Sequence, residues 1–395
     1  MSSFFDIASK VLNAGAISEG KILLSKPVGE HIPFTRAGGG STTLQNGTII
    51  EQAANWPAIV KRDGECSLFA WRPAQTRLFT QPNNLAHTDW VKQAIGTGVA
   101  PIATANYAMD PMGGNNACRI QLNTGAGGSS SDQSYIRQTF SIVSGSSYTM
   151  GFWLKSNTGS NQTIQLLRES ANLVTIVVTN EWKFFTTTKV GASTSLSNWG
   201  LFLSGSVAAA ADILVFAANM VVGTYIPSVI LGNDAGTQTR NADSSTNTGL
   251  KASGFIGNET GAIGGTLLAK SLIRESSSAS LTIGDTGNSF YILRDSVMAS
   301  RMSFKYDAGA GGALAHTTVQ DQNKWLFTWD KSPDINGDRW ILSVNGVKVA
   351  SGPEVFSFPT DTLTMSGVAG YWEGAPEIFS QVRLSEDAAN AYTTL

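Results

Sequence analysis

The residues able to carry acid–base or covalent chemistry are few in this sequence and lie apart. His31, His87 and His316 are its three histidines, and none stands in a recognisable motif. A nucleophilic triad needs a histidine backed by a carboxylate, and no Gly-x-Ser-x-Gly stands at a strand-to-helix turn. Cys66 and Cys118, far apart in the chain, are its two cysteines. They read as buried thiols, with one disulfide between them as the alternative; no Cys/His cluster has the spacing of a zinc site. Glycoside hydrolysis needs two carboxylates about 5 to 9.5 Å apart across a sugar. Glu169, Glu181, Glu373 and Glu377 are available, but no alternating spacing pairs them on one strand face. Gly113-Gly114 and Gly311-Gly312 lack the Lys-Ser/Thr of a phosphate cradle and read as loops. The expectation is a non-enzymatic protein with no cofactor.

Two constellations point to binding instead. In Asp334-Ile335-Asn336-Gly337-Asp338 the side chains of Asp334, Asn336 and Asp338 match the first oxygen ligands of a calcium loop. The match then breaks, because Arg339 sits where glycine is needed and Asn345 where the bidentate Glu belongs. Such Asp/Asn/Gly runs also make hairpin turns. The second constellation is aromatic: Trp153, Trp199 beside Asn198, and Tyr371-Trp372 beside Glu373. Aromatic faces next to amides and carboxylates are what a sugar stacks on, and the competing reading is packing in a core or subunit interface.

The elements that would position these residues are strands. Charged residues make up 14% of the chain, well below the ~25% of an average domain. Gly numbers 41, and Ser, Thr and Asn fill many remaining positions, the composition of short strands joined by polar turns. In Tyr148 to Lys155, Tyr148, Met150, Phe152 and Leu154 share one face, and Trp153 falls on the other. Glu181 to Thr188 repeats the alternation, with Trp182 and Phe184 opposite Lys183 and Phe185. Further on, Trp325, Phe327 and Trp329 alternate, then Trp340, Leu342 and Val344, which predicts a hairpin followed by a tight Asn345-Gly346 turn. Only Met1 to Asn13 and Ser385 to Ala391 read as helical, the latter capped by Ser385 with Glu386 and Asp387 in its first turn. The apolar stretch Val207 to Leu231 holds Asp212 and Asn219 and is broken by Gly223 and Pro227, so it reads as a sandwich-core strand and not as a membrane span.

The fold class expected is all-β: two tandem jelly-roll β-sandwiches preceded by a short helix and an extended docking segment. The boundaries read as residues 1–80 for the helix and docking segment, 81–232 for the first sandwich, 233–248 for a polar linker, and 249–395 for the second sandwich. A net charge of −2 and scattered Lys and Arg provide no field to recruit nucleic acid. The N-terminus lacks the basic start and long apolar run of a signal peptide.

Several phrases, in order, resemble the opening of bacteriophage tail and capsid-fibre proteins. They run from Phe34-Thr35-Arg36-Ala37 through Asn46-Gly47-Thr48-Ile49 and Ala53-Ala54-Asn55-Trp56-Pro57 to Gly64-Glu65-Cys66 and Trp71-Arg72-Pro73-Ala74-Gln75-Thr76-Arg77-Leu78. Asn84-Leu85, Asp89-Trp90-Val91-Lys92, the strand Tyr148–Lys155 and Gly223-Thr224-Tyr225-Ile226-Pro227-Ser228 follow. Thr239-Arg240-Asn241-Ala242-Asp243 closes the set, which departs from the family at Gly38-Gly39-Gly40, where Ser and Thr are usual. The last block is similar to laminin-G or concanavalin-A-like sandwiches at Lys324–Asp330, Trp340–Val349 and Ile378–Ala388. The resemblance implies a virion structural protein, a tail or head fibre or decoration, assembled in the host cytoplasm. Its first sandwich would be similar to carbohydrate-binding modules. It would contact other virion proteins through residues 1–80, form a homo-oligomer (a trimer in most such fibres) and bind a host glycan, with no nucleic acid and no membrane insertion. The alternatives are a polysaccharide-degrading enzyme of laminin-G-like fold and a purely structural capsid stabiliser.

Overall fold

A computed structural model describes residues 72, 74–125, 128–170, 172–226, 229–231, 236–242, 324–330, 332–353, 385–391 and 393 with their side chains, and the backbone pairing of further strands. The chain divides into two units. One comprises Ala37–Ala54 and Ala74–Asn241; the other comprises Met1–Arg36, Asn55–Pro73 and Ala242–Leu395.

The first unit is a β-sandwich. In chain order its strands are β1 (Gln75–Arg77), β2 (Val91–Ile95), β3 (Val99–Ala108), β4 (Ala117–Asn123), β5 (Gln133–Ile142) and β6 (Ser147–Ser156). They continue with β7 (Gln162–Arg168), β8 (Asn172–Val178), β9 (Lys183–Val190), β10 (Ser195–Ser204), β11 (Ala210–Val222) and β12 (Gln238–Arg240). Two five-stranded sheets result, ordered β2-β5-β10-β7-β8 and β3-β4-β11-β6-β9. Every pairing in them is antiparallel, as a sandwich of polar-turned strands requires.

The core between the sheets comes from the inward residues of both. Tyr148, Met150, Phe152 and Leu154 of β6 all point into it, as their alternation predicts. They meet Ile136 of β5, Ile164 and Leu166 of β7, and Leu201 and Leu203 of β10 from the facing sheet. An aromatic group gathers around Phe79, whose ring centroid lies 4.9 Å from Trp90, 5.5 Å from Phe140 and 5.7 Å from Phe152. The buried Trp90 indole N–H donates to the Gln81 carbonyl at 3.1 Å, so it costs no unmet hydrogen bond. The apolar stretch after Val207 becomes β11, the middle strand of its sheet. Against β6 its register shifts between Gly151 and Trp153, and Ala217 takes a positive φ of 51°. The residues at this bulge are held from outside the sheet: Ala217 N–H donates to Asn83 Oδ1 at 2.7 Å and Ala218 N–H to the Pro82 carbonyl at 2.9 Å.

The two ends of the sandwich segment are tied to each other. β1 and β12 are the same tripeptide, Gln-Thr-Arg, paired antiparallel with Gln238 opposite Arg77, Thr239 opposite Thr76 and Arg240 opposite Gln75. The threonine hydroxyls lie 2.8 Å apart. Arg77 is 0% exposed and Arg240 3% exposed. Arg77 donates Nε–H to the Phe79 carbonyl at 2.9 Å and Nη1–H to the Ile230 carbonyl at 3.0 Å. Gln75 donates Nε2–H to the Tyr225 carbonyl at 3.1 Å. The sandwich therefore runs from residue 74 to 241, wider than the 81–232 expected, and part of the expected 233–248 linker is strand. A polar tripeptide whose bonds run to main-chain carbonyls shows no apolar signature, which is why these stretches read as boundary.

In the second unit the backbone pairs into a seven-stranded and a nine-stranded sheet. Strands from the N-terminal block enter both: Phe34–Thr35 pairs with Ser244–Asn247, Glu65–Trp71 with Trp372–Gly374, and Ser25–Pro27 with Glu377–Ser380. The block thus supplies strands to the C-terminal sheets, where the sequence suggested a separate docking segment. The helix expected over Met1 to Asn13 lies outside the described residues. The expected hairpin forms from β13 (Gln322–Asp330) and β14 (Trp340–Val344), with Trp329 opposite Trp340 and Trp325 opposite Val344. Both its faces are buried, Leu326, Thr328 and Ser343 included, so the alternation marks side-chain size more than exposure. Asn345 (φ 50°) and Gly346 (φ 85°) make the left-handed turn into β15 (Val347–Gly352). α1 (Glu386–Thr393) starts where the Ser385 hydroxyl accepts the Ala388 N–H at 3.3 Å.

Cys118 is a free, buried thiol, as expected; the Cys66 side chain lies outside the described residues. Burial pushes the Cys118 thiol up to about 11, against hydrogen bonds from nearby backbone groups. In a Cys66→Ser variant, a disulfide-exchange reagent at pH 8 is expected to leave the native thiol unmodified and to titrate one thiol after denaturation. Replacing Arg77 by Met strands buried carbonyls and is expected to cost about 2–4 kcal/mol, because hydrogen bonds to charged groups contribute about 1.5–3 kcal/mol each. A lower urea midpoint at unchanged m-value is the readout.

Candidate functional site

The outward face of the β2-β5-β10-β7-β8 sheet carries the polar and aromatic groups most suited to a ligand. Alternation forces this arrangement. Where Ile136 and Leu201 point into the core, their neighbours Tyr135, Arg137, Gly200 and Phe202 must point out. At the centre, Tyr135 and Phe202 are directly opposite each other across β5 and β10, their rings stacked at 5.3 Å and 22°. Leu167 of β7 completes this small outward cluster. The three are nearly covered, at 8%, 6% and 3% exposure, whereas Val91, Ile95, Leu173 and Val177 on the marginal strands are open. The face is closed in its middle and accessible along its margins.

Polar side chains surround the cluster. Gln165 of β7 and Ser204 of β10 hydrogen-bond at 3.1 Å. On the other side, half-buried Arg137 is the hub of a network. Its Nη1 donates to Thr139 Oγ1 at 2.6 Å and to Asn198 Oδ1, and its Nη2 donates to Gln93 Oε1 at 3.2 Å. The Thr139 hydroxyl in turn donates to Asn198 Oδ1 at 2.8 Å. A guanidinium has donors only, so both amides must turn their oxygens toward it. Their NH2 groups therefore face away as donors. Among the described residues neither NH2 has a partner, and the buried Arg137 Nε has none either.

The other outward face offers a contrasting set. Arg119 of β4 grips Asp212 of β11 with Nε at 2.9 Å and Nη2 at 2.6 Å, while Asn157 Nδ2 lies 3.2 Å from both carboxylate oxygens. Tyr107 lies over the guanidinium, its centroid 4.9 Å away. Burial alone would raise the Asp212 carboxyl, but the hydrogen bonds from Arg119 and Asn157 hold it below the ordinary range. This cluster is saturated internally and reads as a brace between neighbouring strands.

The aromatic residues singled out in the sequence fare differently. Trp199 lies in β10; it is 0% exposed, inside the core, with its ring centroid 6.1 Å from Tyr148. The run of Ser, Asn and Gly around it belongs to the strand, which disguised the period. Trp153 does point away from the main core, as its alternation predicts, but is only 5% exposed. Phe184 at 5.6 Å, Phe216 and Val229 form a second apolar cluster over it. Neither ring face is open to a sugar. Tyr371 and the side chain of Trp372 lie outside the described residues. Asp334, Asn336 and Asp338 form the turn between β13 and β14: Asp334 Oδ1 accepts N–H from Asn336 at 2.8 Å and from Asp338 at 3.0 Å, and Gly337 takes φ 86°. That is the hairpin-turn arrangement, and among the described residues no three metal-ligating side chains gather. Of the histidines, His87 sits in a turn with Nδ1 3.2 Å from the Asp89 N–H. The side chains of His31 and His316 lie outside the described residues.

Sequence reading missed Gln93, Tyr135, Arg137 and Asn198. The signal existed in the alternation of Gln133–Ile142 and Ser195–Ser204, in which Tyr135 and Arg137 fall on the face opposite Ile136.

No protein-family model matches the chain, and no curated protein matches its sequence. Among solved structures, the tandem CBM22-1-CBM22-2 domain of Paenibacillus barcinonensis Xyn10C is similar at 11% identity and TM-score 0.27, over 78% of this chain and 98% of that one. A CBM4 structure is similar at 13% identity and TM-score 0.23, over 38% of this chain and 94% of the other. A mutant Trypanosoma rangeli sialidase displaying trans-sialidase activity is similar at 13% and 0.25, over 33% of this chain; the match spans 22% of that protein's length. With such scores, none superimposes on the chain as a whole.

The Arg119–Asp212 brace makes a pH prediction. A carboxyl depressed in the folded state stabilises at pH values above its unfolded pKa of about 3.9 and loses that contribution as pH falls through the folded value. Wild type is therefore expected to exceed Asp212→Asn in stability at pH 7, by at most about 1 kcal/mol for so exposed a pair, with the gap closing below pH 4. Denaturant midpoints across pH 2.5–7 measure it.

Proposed function

We propose that this chain is a glycan-binding, non-enzymatic attachment protein of a bacteriophage particle, and that the β2-β5-β10-β7-β8 face holds the sugar. The observation that carries the glycan reading is the set of oriented polar groups on this face, Gln93, Arg137, Thr139 and Asn198 on one side and Gln165 with Ser204 on the other. Saccharides present dense hydroxyls and weakly apolar ring faces, and this face sets oriented polar groups beside the open apolar side chains of its marginal strands, Val91, Ile95, Leu173 and Val177. Holding those groups in one geometry before the ligand arrives reduces the entropy lost on binding.

The particle role rests on the ordered fibre-like phrases. Two of them, Gln75-Thr76-Arg77 and Thr239-Arg240, meet as paired strands that close the sandwich, which supports their belonging to one inherited unit. In this reading the chain is a tail or head fibre or decoration protein. It contacts other virion proteins through residues 1–80, and it assembles as a homotrimer.

The test is affinity electrophoresis and a glycan array with the purified full chain. Retardation by at least one polysaccharide is expected, with no new reducing ends on prolonged incubation. In a Gln93→Ala/Asn198→Ala variant, affinity is expected to fall about tenfold, equivalent to about 1.4 kcal/mol, with the fold retained by circular dichroism at the assay temperature. Silence across the array would overturn the glycan reading, and release of reducing ends would favour a hydrolase. Sedimentation as a monomer at micromolar concentration would count against the trimer.

A further inference from the structure

We infer that the saccharide taken by this face is an acidic one, and that Arg137 receives its carboxylate; the inference rests on the glycan reading above.

The outward positions of β2, β5, β10, β7 and β8 include one charged side chain, Arg137, and neither Asp nor Glu. The molecule itself supplies the comparison. Arg119, on the opposite outward face, has its charge met by Asp212 in a two-pronged grip. Arg137 has neutral acceptors instead: a hydroxyl and two amide oxygens. Three hydrogen bonds engage its guanidinium, which carries five N–H donors. Among the described residues this half-buried cation has no counterion, so it has lost part of its hydration and gained dipoles in return. An incoming anion restores what is missing.

The second observation is the polarity of the neighbours. Because Gln93 and Asn198 turn their oxygens onto Arg137, they present NH2 groups outward, and the Thr139 hydrogen points at Asn198. The surroundings of Arg137 are thus rich in donors. A neutral sugar offers hydroxyls, which donate as readily as they accept, and half of that capacity would go unused here. A carboxylate only accepts, and its two oxygens suit the planar guanidinium fork. The amides and Thr139 hold that fork in place, so little side-chain freedom remains to be lost on binding.

The experiment uses wild-type full chain and a panel of uronate- and sialate-containing polysaccharides. Each is paired with its own carboxyl-reduced form, so that charge changes while the backbone is kept. Isothermal titration is expected to show binding to at least one acidic member and at least tenfold weaker binding to its reduced partner. Raising the salt should weaken the acidic interaction and leave any neutral one unchanged. In Arg137→Gln the acidic and reduced forms should bind alike, and Arg137→Lys should recover only part of the preference, since it keeps the charge and loses the fork. Equal wild-type affinity for acidic and reduced forms would overturn the acidic-ligand inference and leave the glycan reading standing. Binding to no member of the panel, acidic or neutral, would remove both. Should Arg137→Gln fail to fold, the carboxyl-reduction arm on wild type still decides.

Discussion

Closure of the sandwich by its own two ends is the constraint on which the rest of the structure depends. The Ala74–Asn241 segment lies between two stretches of chain that both belong to the other unit, so its first and last residues have to return to one place. The β1–β12 ladder meets that requirement with three residues from each end. It sets buried arginines among backbone carbonyls, a solution that lets a short polar strand close a domain without apolar side chains. A cation in such a place is tolerable because main-chain oxygens replace its water; left with fewer of them, it would be among the costliest groups in the fold. Gln75 and Arg77 bond to carbonyls in residues 225–231, so the segment after β11 is fixed by the same closure. That segment in turn brings Val229 over Trp153.

The treatment of arginine across the sandwich follows a gradient of solvent. In the clasp the guanidinium is fully enclosed and bonds to the main chain. On one outward face Arg119 is partly open and meets a carboxylate. On the other, Arg137 is half-buried and, among the described residues, meets neutral oxygens. In the first two the guanidinium meets main-chain carbonyls or a carboxylate. In the third, among the described residues, no carboxylate stands beside the cation, and that difference between the two sheet faces is what the proposed ligand would use.

Much of the architecture was legible in the sequence because the two faces of a strand leave a period-two trace. The faces expected over Tyr148–Lys155 match those of β6, the Val207–Leu231 stretch holds the core strand β11 despite Asp212, and the hairpin, the Asn345-Gly346 turn and the Ser385 cap form as expected. The boundaries were not legible, because Gln-Thr-Arg strands are stabilised by ladder and carbonyl bonds that composition does not record. The candidate site was the least legible part. Tryptophan drew attention as the largest aromatic, yet Trp199 and Trp153 serve two separate apolar clusters. The residues that do face outward together, Gln93, Arg137, Thr139 and Asn198, come from three strands distant in sequence and meet only through register.

Register is therefore the quantity that links fold to function here. A slip of one residue between β5 and β10 would invert one of the two strands, sending either Tyr135 and Arg137 or Asn198 and Phe202 into the core and bringing either Ile136 or Trp199 and Leu201 to the surface. The large inward side chains oppose that alternative: Trp199 is fully buried, with its ring 6.1 Å from Tyr148 of the facing sheet. The deep packing of a tryptophan that looked like a ligand platform is thus what holds the polar network on the opposite side of its strand in place. Core and proposed binding face follow from one alternation, and a change of register in one changes the other.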